Sequence, residues 1–234
     1  MDVSPPGILA LDTPGWATAE RLVVALGDEV TFYKVGLELF SGEGPGVVRE
    51  LRGRGKRVFL DLKLHDIPNT VAGAARAAGR FGAELLTVHA AGGAAMVRAA
   101  VSAARESSGG RTKVLAVTVL TSLAEGHLPA SFPPDRPLED LVSLLAEEAL
   151  AAGADGLVCS GAEVATLRQR FGAAPLLVVP GTRPHGAQAQ DQARVVTPQA
   201  ALDAGASWLV VGRAVTAAAD PREAWRSFWQ VASA

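Results

Sequence analysis

Phe59-Leu60-Asp61-Leu62-Lys63-Leu64-His65-Asp66-Ile67-Pro68-Asn69-Thr70 begins as a buried β-strand, passes into a run of charge and leads into a helical pattern at 71–81. In extended geometry successive side chains alternate between faces. Asp61, Lys63 and His65 therefore share one face, and Leu62 and Leu64 the other. Acid and base on the inner side of an apolar strand are costly unless paired, and groups placed so commonly serve chemistry. The segment reads as one strand-then-helix unit with its charge at the strand's C-terminal end.

The same unit recurs outward in both directions. Short apolar, β-rich runs lie at 8–11, 32–35, 57–62, 85–89, 114–120, 156–159, 176–179 and 208–211. Between them are helical patterns at 17–26, 47–54, 71–81, 94–105, 138–151, 163–170 and 198–204, and a last one at 221–231. The strands are nearly continuous in hydrophobicity, the mark of parallel strands covered on both faces. Gly-Ala pairs at Gly82, Gly153 and Gly205 follow helices and precede strands, as helix C-caps do. Eight strand–helix units in 234 residues predict an α/β protein of the (β/α)8 TIM-barrel class. The expectation is a single domain over 1–234, since no linker or composition shift interrupts the pattern. A doubly wound open sheet is the competitor, but no Gly-x-Gly-x-x-Gly follows the first strand.

Composition narrows the function. Hydrophobic residues make up 49% and charged residues 20%, ordinary for a globular enzyme, and the net charge of −2 gives no footprint for nucleic acid or an anionic membrane. No apolar run reaches the ~20 residues a membrane span needs, and the start lacks a secretory signal, so the expected location is cytoplasmic. Cys159 stands alone in an apolar run and reads as a small core residue. His65, His89, His127 and His185 show no metal-ligand spacing, so neither metal nor cofactor is expected.

Barrel active sites occupy the C-terminal ends of the strands. The polar residues there are Asp12, Lys34, Asp61, Lys63, Asp66, His89, Thr121, Ser122, Ser160, Arg183 and Arg213. Acids and bases mixed in this way suit an anionic substrate held beside a proton-transfer pair. Gly212-Arg213 after the eighth strand, with Pro180-Gly181-Thr182-Arg183-Pro184 after the seventh, predicts a phosphate site. Plainer readings stand beside these: Asp61 and Lys63 as a structural ion pair, Asp66 as cap of the following helix, Asp12 as a turn residue, Lys34 as a solvated lysine, His65 and His89 as packing or loop residues. The loops at 121–137 and 181–192 are long enough to be binding loops or lids.

Several of these pieces together resemble the orotidine 5′-phosphate decarboxylase family in its bacterial form, over essentially the whole chain. They are Leu11-Asp12, Tyr33-Lys34-Val35-Gly36, the 59–70 segment, Thr121-Ser122, Val179-Pro180-Gly181-Thr182-Arg183-Pro184, Gln190-Asp191-Gln192 and Val211-Gly212-Arg213. The Asp-x-Lys-x-x-Asp core marks a wider suprafamily; the Leu-His-Asp-Ile-Pro-Asn-Thr extension with Lys34 upstream is more specific. The resemblance implies conversion of orotidine 5′-monophosphate to UMP and CO2 without metal or organic cofactor, by a homodimer with shared active sites. It implies a charged tetrad of Lys34, Asp61, Lys63 and Asp66, with Lys63 protonating C6 and Asp66 reaching into the neighbouring subunit. Asp12 and Lys34 would hold the ribose, with Thr70 from the partner; Thr121 and Ser122 would meet the pyrimidine. Gly212, Arg213, Arg183 and Gln192 would serve the phosphate and its closing loop. Thr182, where an aliphatic residue is expected, and the 185–190 stretch depart from the pattern. The rivals are a Mg2+-dependent sugar-phosphate decarboxylase or aldolase of the same suprafamily, with an acidic residue near the position of Lys34, and a non-catalytic nucleotide-binding barrel.

Overall fold

Eight short parallel strands close on one another in chain order: β1 (Gly7–Leu11), β2 (Phe32–Gly36), β3 (Arg57–Leu64), β4 (Leu85–His89), β5 (Lys113–Val117), β6 (Gly156–Val158), β7 (Leu176–Pro180) and β8 (Trp208–Val211). The last pairs with the first, Ile8 opposite Val210, so the sheet has no edge. The structure is a computed structural model and describes residues 5–125, 127–130, 132–133, 135–182 and 196–231. Helices alternate with the strands: α1 (Trp16–Leu26), α2 (Leu37–Glu43), α3 (Gly46–Gly53), α4 (Pro68–Phe81), α5 (Gly93–Ser108), α6 (Leu138–Ala151), α7 (Val164–Phe171), α8 (Pro198–Asp203), α9 (Arg213–Thr216) and α10 (Pro221–Val231). The predicted (β/α)8 barrel is what the chain forms, and the open-sheet alternative falls.

Strand alternation divides the apolar side chains into two cores. Ile8, Ala10, Phe32, Phe59, Leu85, Leu115, Val117, Val158, Val178 and Val210 pack together inside the barrel. Their neighbours along the strands, among them Leu9, Leu11, Tyr33, Val35, Val58, Leu60, Leu86 and Val88, pack outward against the helices. Burying each such Val, Leu or Phe side chain is worth roughly 1.5–3 kcal/mol. Arg57 closes the floor. Its guanidinium lies 4.1 Å from the Phe32 ring centroid and 4.7 Å from that of Trp208, and it forks onto Glu84 at 2.8 and 2.5 Å. Under β1, Trp225 and Trp229 of α10 press so close to Gly7 that a Cβ there would collide with both.

Differences from expectation are local. β3 runs on to Leu64 rather than stopping at 62, and β5 ends at Val117 rather than 120. α2 escapes the periodicity reading because seven residues are too few to display it. Gly82 ends α4 with φ 85° and Gly205 follows α8 with φ 101°, as the Gly-Ala signal predicts. Cys159 is fully buried. Among the described residues no helix is long and apolar enough to cross a membrane.

Candidate active site

The inward period of two that builds the inner core does not stop where the apolar residues stop. On β1 it runs Ile8, Ala10, then Asp12; on β2 Phe32, then Lys34; on β3 Phe59, then Asp61; after β8 Val210, then Gly212. The layer above the greasy filling is therefore charged, and it sits at the C-terminal end of the barrel. A cavity of about 570 Å3 opens there. Asp12, Lys34, Asp61, Lys63, Thr121, Ser122, Gly212 and Arg213 all line it, alongside Glu38, Pro180 and Gly181.

Four of these side chains form a line of alternating charge. The Lys34 ammonium donates to Asp12 Oδ1 at 2.8 Å and lies 3.6 Å from Asp61 Oδ2. The Lys63 ammonium donates to both oxygens of Asp61, at 2.8 and 2.9 Å. Lys34 and Asp61 are each only 8% exposed, and each carries its charge beside opposite charges: Asp12 and Asp61 for Lys34, Lys63 and Lys34 for Asp61. Burial alone would push the Asp61 carboxyl up. The two ammoniums, the hydrogen bond from Lys63 and one from Thr87 outweigh burial and hold it below the usual carboxylate range. Gly36 is part of the fit: a Cβ there would stand 2.9 Å from both Asp12 Oδ1 and Lys34 Nζ.

Asp61 and Lys63 share the cavity through a break in the strand ladder. Leu60 pairs with Leu86 and Leu64 with Val88, so four steps along β3 oppose two along β4. Within that bulge Lys63 has φ 49°, the one positive φ outside glycine among the described residues. For a residue with a Cβ this conformation costs of order 1–3 kcal/mol and persists only where the surroundings hold it. Fully buried Thr87, on β4, accepts the Lys63 N–H and donates to Asp61 Oδ1, both at 2.9 Å.

The other sequence candidates divide. His65 does not line the cavity; it is exposed in the loop after β3, with its ring tilted at 5.5 Å from that of His89, which fits the loop side of the plainer reading. Burial, helped by His65 and Lys63, pushes the His89 imidazole below its ordinary value, so it stays neutral near pH 7. Ser160 is spent on structure: it caps a short turn, accepting from Ala162 N–H at 3.2 Å while its own N–H donates to Glu163 at 2.8 Å. Asp66 is not the helix cap of the plain reading. The cap position of α4 falls one residue later, on Ile67, and Asp66 is exposed with its carboxylate on the Ile67 N–H at 2.6 Å. Neither Asp66 nor the exposed Thr70 lines the cavity. Arg183 and Gln192 lie outside the described residues. Glu38 and Thr87 were missed. Thr87 is the inward position after Leu85 on β4, but a threonine between Leu86 and Val88 is ordinary in a strand and carries little signal by itself.

Known proteins resemble the chain over nearly its full length. The profile of the orotidine 5′-phosphate decarboxylase / HUMPS family matches residues 5–228. An orotidine 5′-phosphate decarboxylase of Anaeromyxobacter dehalogenans is 56% identical, over 93% of this chain and 94% of its own. That of Moorella thermoacetica is 48% identical, over 94% and 89%. The crystal structure of orotidine 5′-phosphate decarboxylase from Lactobacillus acidophilus superposes with a TM-score of 0.85 at 38% identity, covering 98% of this chain and 99% of that one. With a closed eight-stranded barrel, a charged layer at its C-terminal end and a match from residue 5 to residue 228, the chain belongs to the orotidine 5′-phosphate decarboxylase / HUMPS family.

Proposed function

We propose that this chain decarboxylates orotidine 5′-monophosphate to UMP and CO2 in pyrimidine nucleotide synthesis, as a cytoplasmic homodimer that uses no metal or organic cofactor. The observation that carries the reading is the line Asp12–Lys34–Asp61–Lys63 beside Arg213 in one cavity. Its relatives at 56% and 48% identity bear the decarboxylase name, which favours this branch of the family over the sugar-phosphate one.

Loss of CO2 from C6 leaves an electron pair in the plane of the pyrimidine, poorly delocalised into the ring. A site that speeds this step must favour that charge more than it favours the substrate carboxylate. Lys63 supplies a positive charge beside C6 and then its proton, ending the carbanion's lifetime. Asp61 keeps Lys63 ionised and oriented. It also meets the departing carboxylate with like charge, worth on the order of 4 kcal/mol at ~4 Å and an effective dielectric of ~20. Lys34 and Asp12 hold the ribose hydroxyls, and Thr121 and Ser122 the ring. Arg213, Arg183 and Gln192, with the bare backbone of Gly212, take the phosphate. Binding that remote group lets its energy serve closure and water exclusion.

A divalent ion suits the site poorly, because the carboxylates it would want already face ammonium groups. Among the described residues there is no cluster of three His, Cys, Asp or Glu side chains that could hold a metal. Asp66 and Thr70 are given to the partner's site. Both are exposed, and Ile67, between them in sequence, is 66% exposed.

The direct test follows loss of orotidylate absorbance in the presence of EDTA. Turnover that survives the chelator is expected; turnover restored only by Mg2+ would favour the sugar-phosphate branch, and UMP binding with no turnover a silent barrel. Arg213→Ala should lower kcat/KM for orotidine 5′-monophosphate by about 100-fold or more, since a bidentate charged contact to phosphate is lost. An unchanged kcat/KM would remove Arg213 from the phosphate site.

A further inference from the structure

We propose that the Thr87 hydroxyl is the positioning group of the Asp61–Lys63 pair, holding the bulged, left-handed turn of β3 that aims both charges into the cavity. The argument starts from the ladder. Between Leu60 and Leu64 the regular β3–β4 pairing is broken, so the amide of Lys63 has no strand carbonyl in register with it. A buried N–H left without a partner is expensive. Thr87 Oγ1 accepts that N–H at 2.9 Å, and the same oxygen's proton goes to Asp61 Oδ1 at 2.9 Å. One buried hydroxyl thus ties the backbone of one charged residue to the side chain of the other. Neither valine nor alanine could do so, having no donor or acceptor, and serine could.

The bridge also fixes what Asp61 has left to offer. Its Oδ1 receives Lys63 at 2.8 Å and Thr87 at 2.9 Å, and its Oδ2 receives Lys63 at 2.9 Å with Lys34 3.6 Å away. With the hydroxyl gone, the orientation of the carboxylate rests on the two long lysine side chains, and the Lys63 turn loses the partner that offsets its strained φ of 49°. Thr87 does not line the cavity. It acts through Lys63 and Asp61.

The groups facing Asp61 are Lys34 and Lys63, with the neutral His89 beside them and His65 tilted against that ring. Removing the hydroxyl removes one of the hydrogen bonds that hold the Asp61 carboxyl low, so its titration moves upward. Any acid limb of the kcat profile that reports Asp61 moves to higher pH with it.

The kinetic half of the test rests on the decarboxylase reading; a second readout does not. Thr87→Ser and Thr87→Ala differ by the hydroxyl alone, and Thr87→Val keeps the shape without it. In the alanine and valine variants kcat for orotidine 5′-monophosphate should fall about 30- to 100-fold with KM within about threefold, the loss expected when a reacting group is misplaced by a fraction of an ångström to an ångström. Thr87→Ser should stay within about threefold of wild type in kcat. If Thr87→Val does not fold, the alanine–serine pair carries the comparison. Equal losses in Thr87→Ser and Thr87→Ala, or none in Thr87→Ala, overturn the proposal. The second readout is NMR titration of 13C-carboxyl-labelled Asp61, which needs no turnover. An upward shift in Thr87→Ala but not in Thr87→Ser supports the bridge even if the wild-type protein fails on orotidylate, an outcome that would sink the decarboxylase reading alone. No shift in Thr87→Ala sinks the bridge.

Discussion

Lys63→Ala is expected to abolish turnover of orotidine 5′-monophosphate while leaving the barrel folded. Two contributions leave together. Proton transfer from a positioned acid is worth about 10²- to 10⁴-fold. Charge stabilisation by a preorganised group beside the reacting atom is worth about a further 10²- to 10³-fold. The combined loss should exceed about 10⁴-fold in kcat. The fold survives because Asp61 is not orphaned: Lys34 remains 3.6 Å from its Oδ2 and the Thr87 hydroxyl still donates to its Oδ1. Truncating a partner of a buried pair can cost 3–5 kcal/mol when the other charge is left uncompensated, and about 1 kcal/mol or less when other partners remain. The Lys63 side chain is also 30% exposed, which places its loss toward the lower figure. The check is single-turnover and steady-state loss of orotidylate absorbance alongside a thermal melt. Near-normal turnover would remove Lys63 from the chemistry. A collapsed melt would show that the pair serves the fold first.

Much of this site was legible in the order of residues, for a physical reason. Inward alternation on a strand is short-range, so Phe59, Asp61 and Lys63 declare their shared face without any knowledge of the barrel. The charged end of that alternation on β1, β2 and β3 marks the cavity before the strands are brought together. What could not be read is the bulge. Alternation assumes regular pairing, and nothing in Leu60-Asp61-Leu62-Lys63-Leu64 states that two residues of it have no counterpart on β4. The Lys34–Asp61 contact, across β2 and β3, is equally a product of register. Thr87 stayed hidden because a lone threonine in a strand is ordinary; only its position opposite the bulge makes it a bridge. Asp66 went the other way. Local reasoning made it a cap, yet the cap position of α4 is held by Ile67, and the carboxylate is left exposed at the barrel's mouth.

That exposed Asp66 makes a sharp prediction about two chains. Asp66→Ala and Lys63→Ala should each be nearly inactive alone, and mixing them should restore activity. If each site takes Lys63 from one subunit and Asp66 from the other, a mixed dimer holds one site with both defects and one with neither. Random reassortment makes about half of the dimers mixed, each with one of its two sites intact, so about a quarter of wild-type activity should return. Co-expression with two affinity tags isolates the mixed species, whose specific activity should then be about half that of wild type. The placement of Asp66 motivates the test. Asp12, Lys34, Asp61 and Lys63 are linked within the one chain, whereas Asp66 lies outside the cavity they line, with its carboxylate accepting from the Ile67 amide. Asp66 stands just before α4 and is exposed. Presenting it to a second copy costs nothing within the chain. Mixed dimers as inactive as the parents would show that the fourth charge of the site comes from elsewhere, or that three suffice.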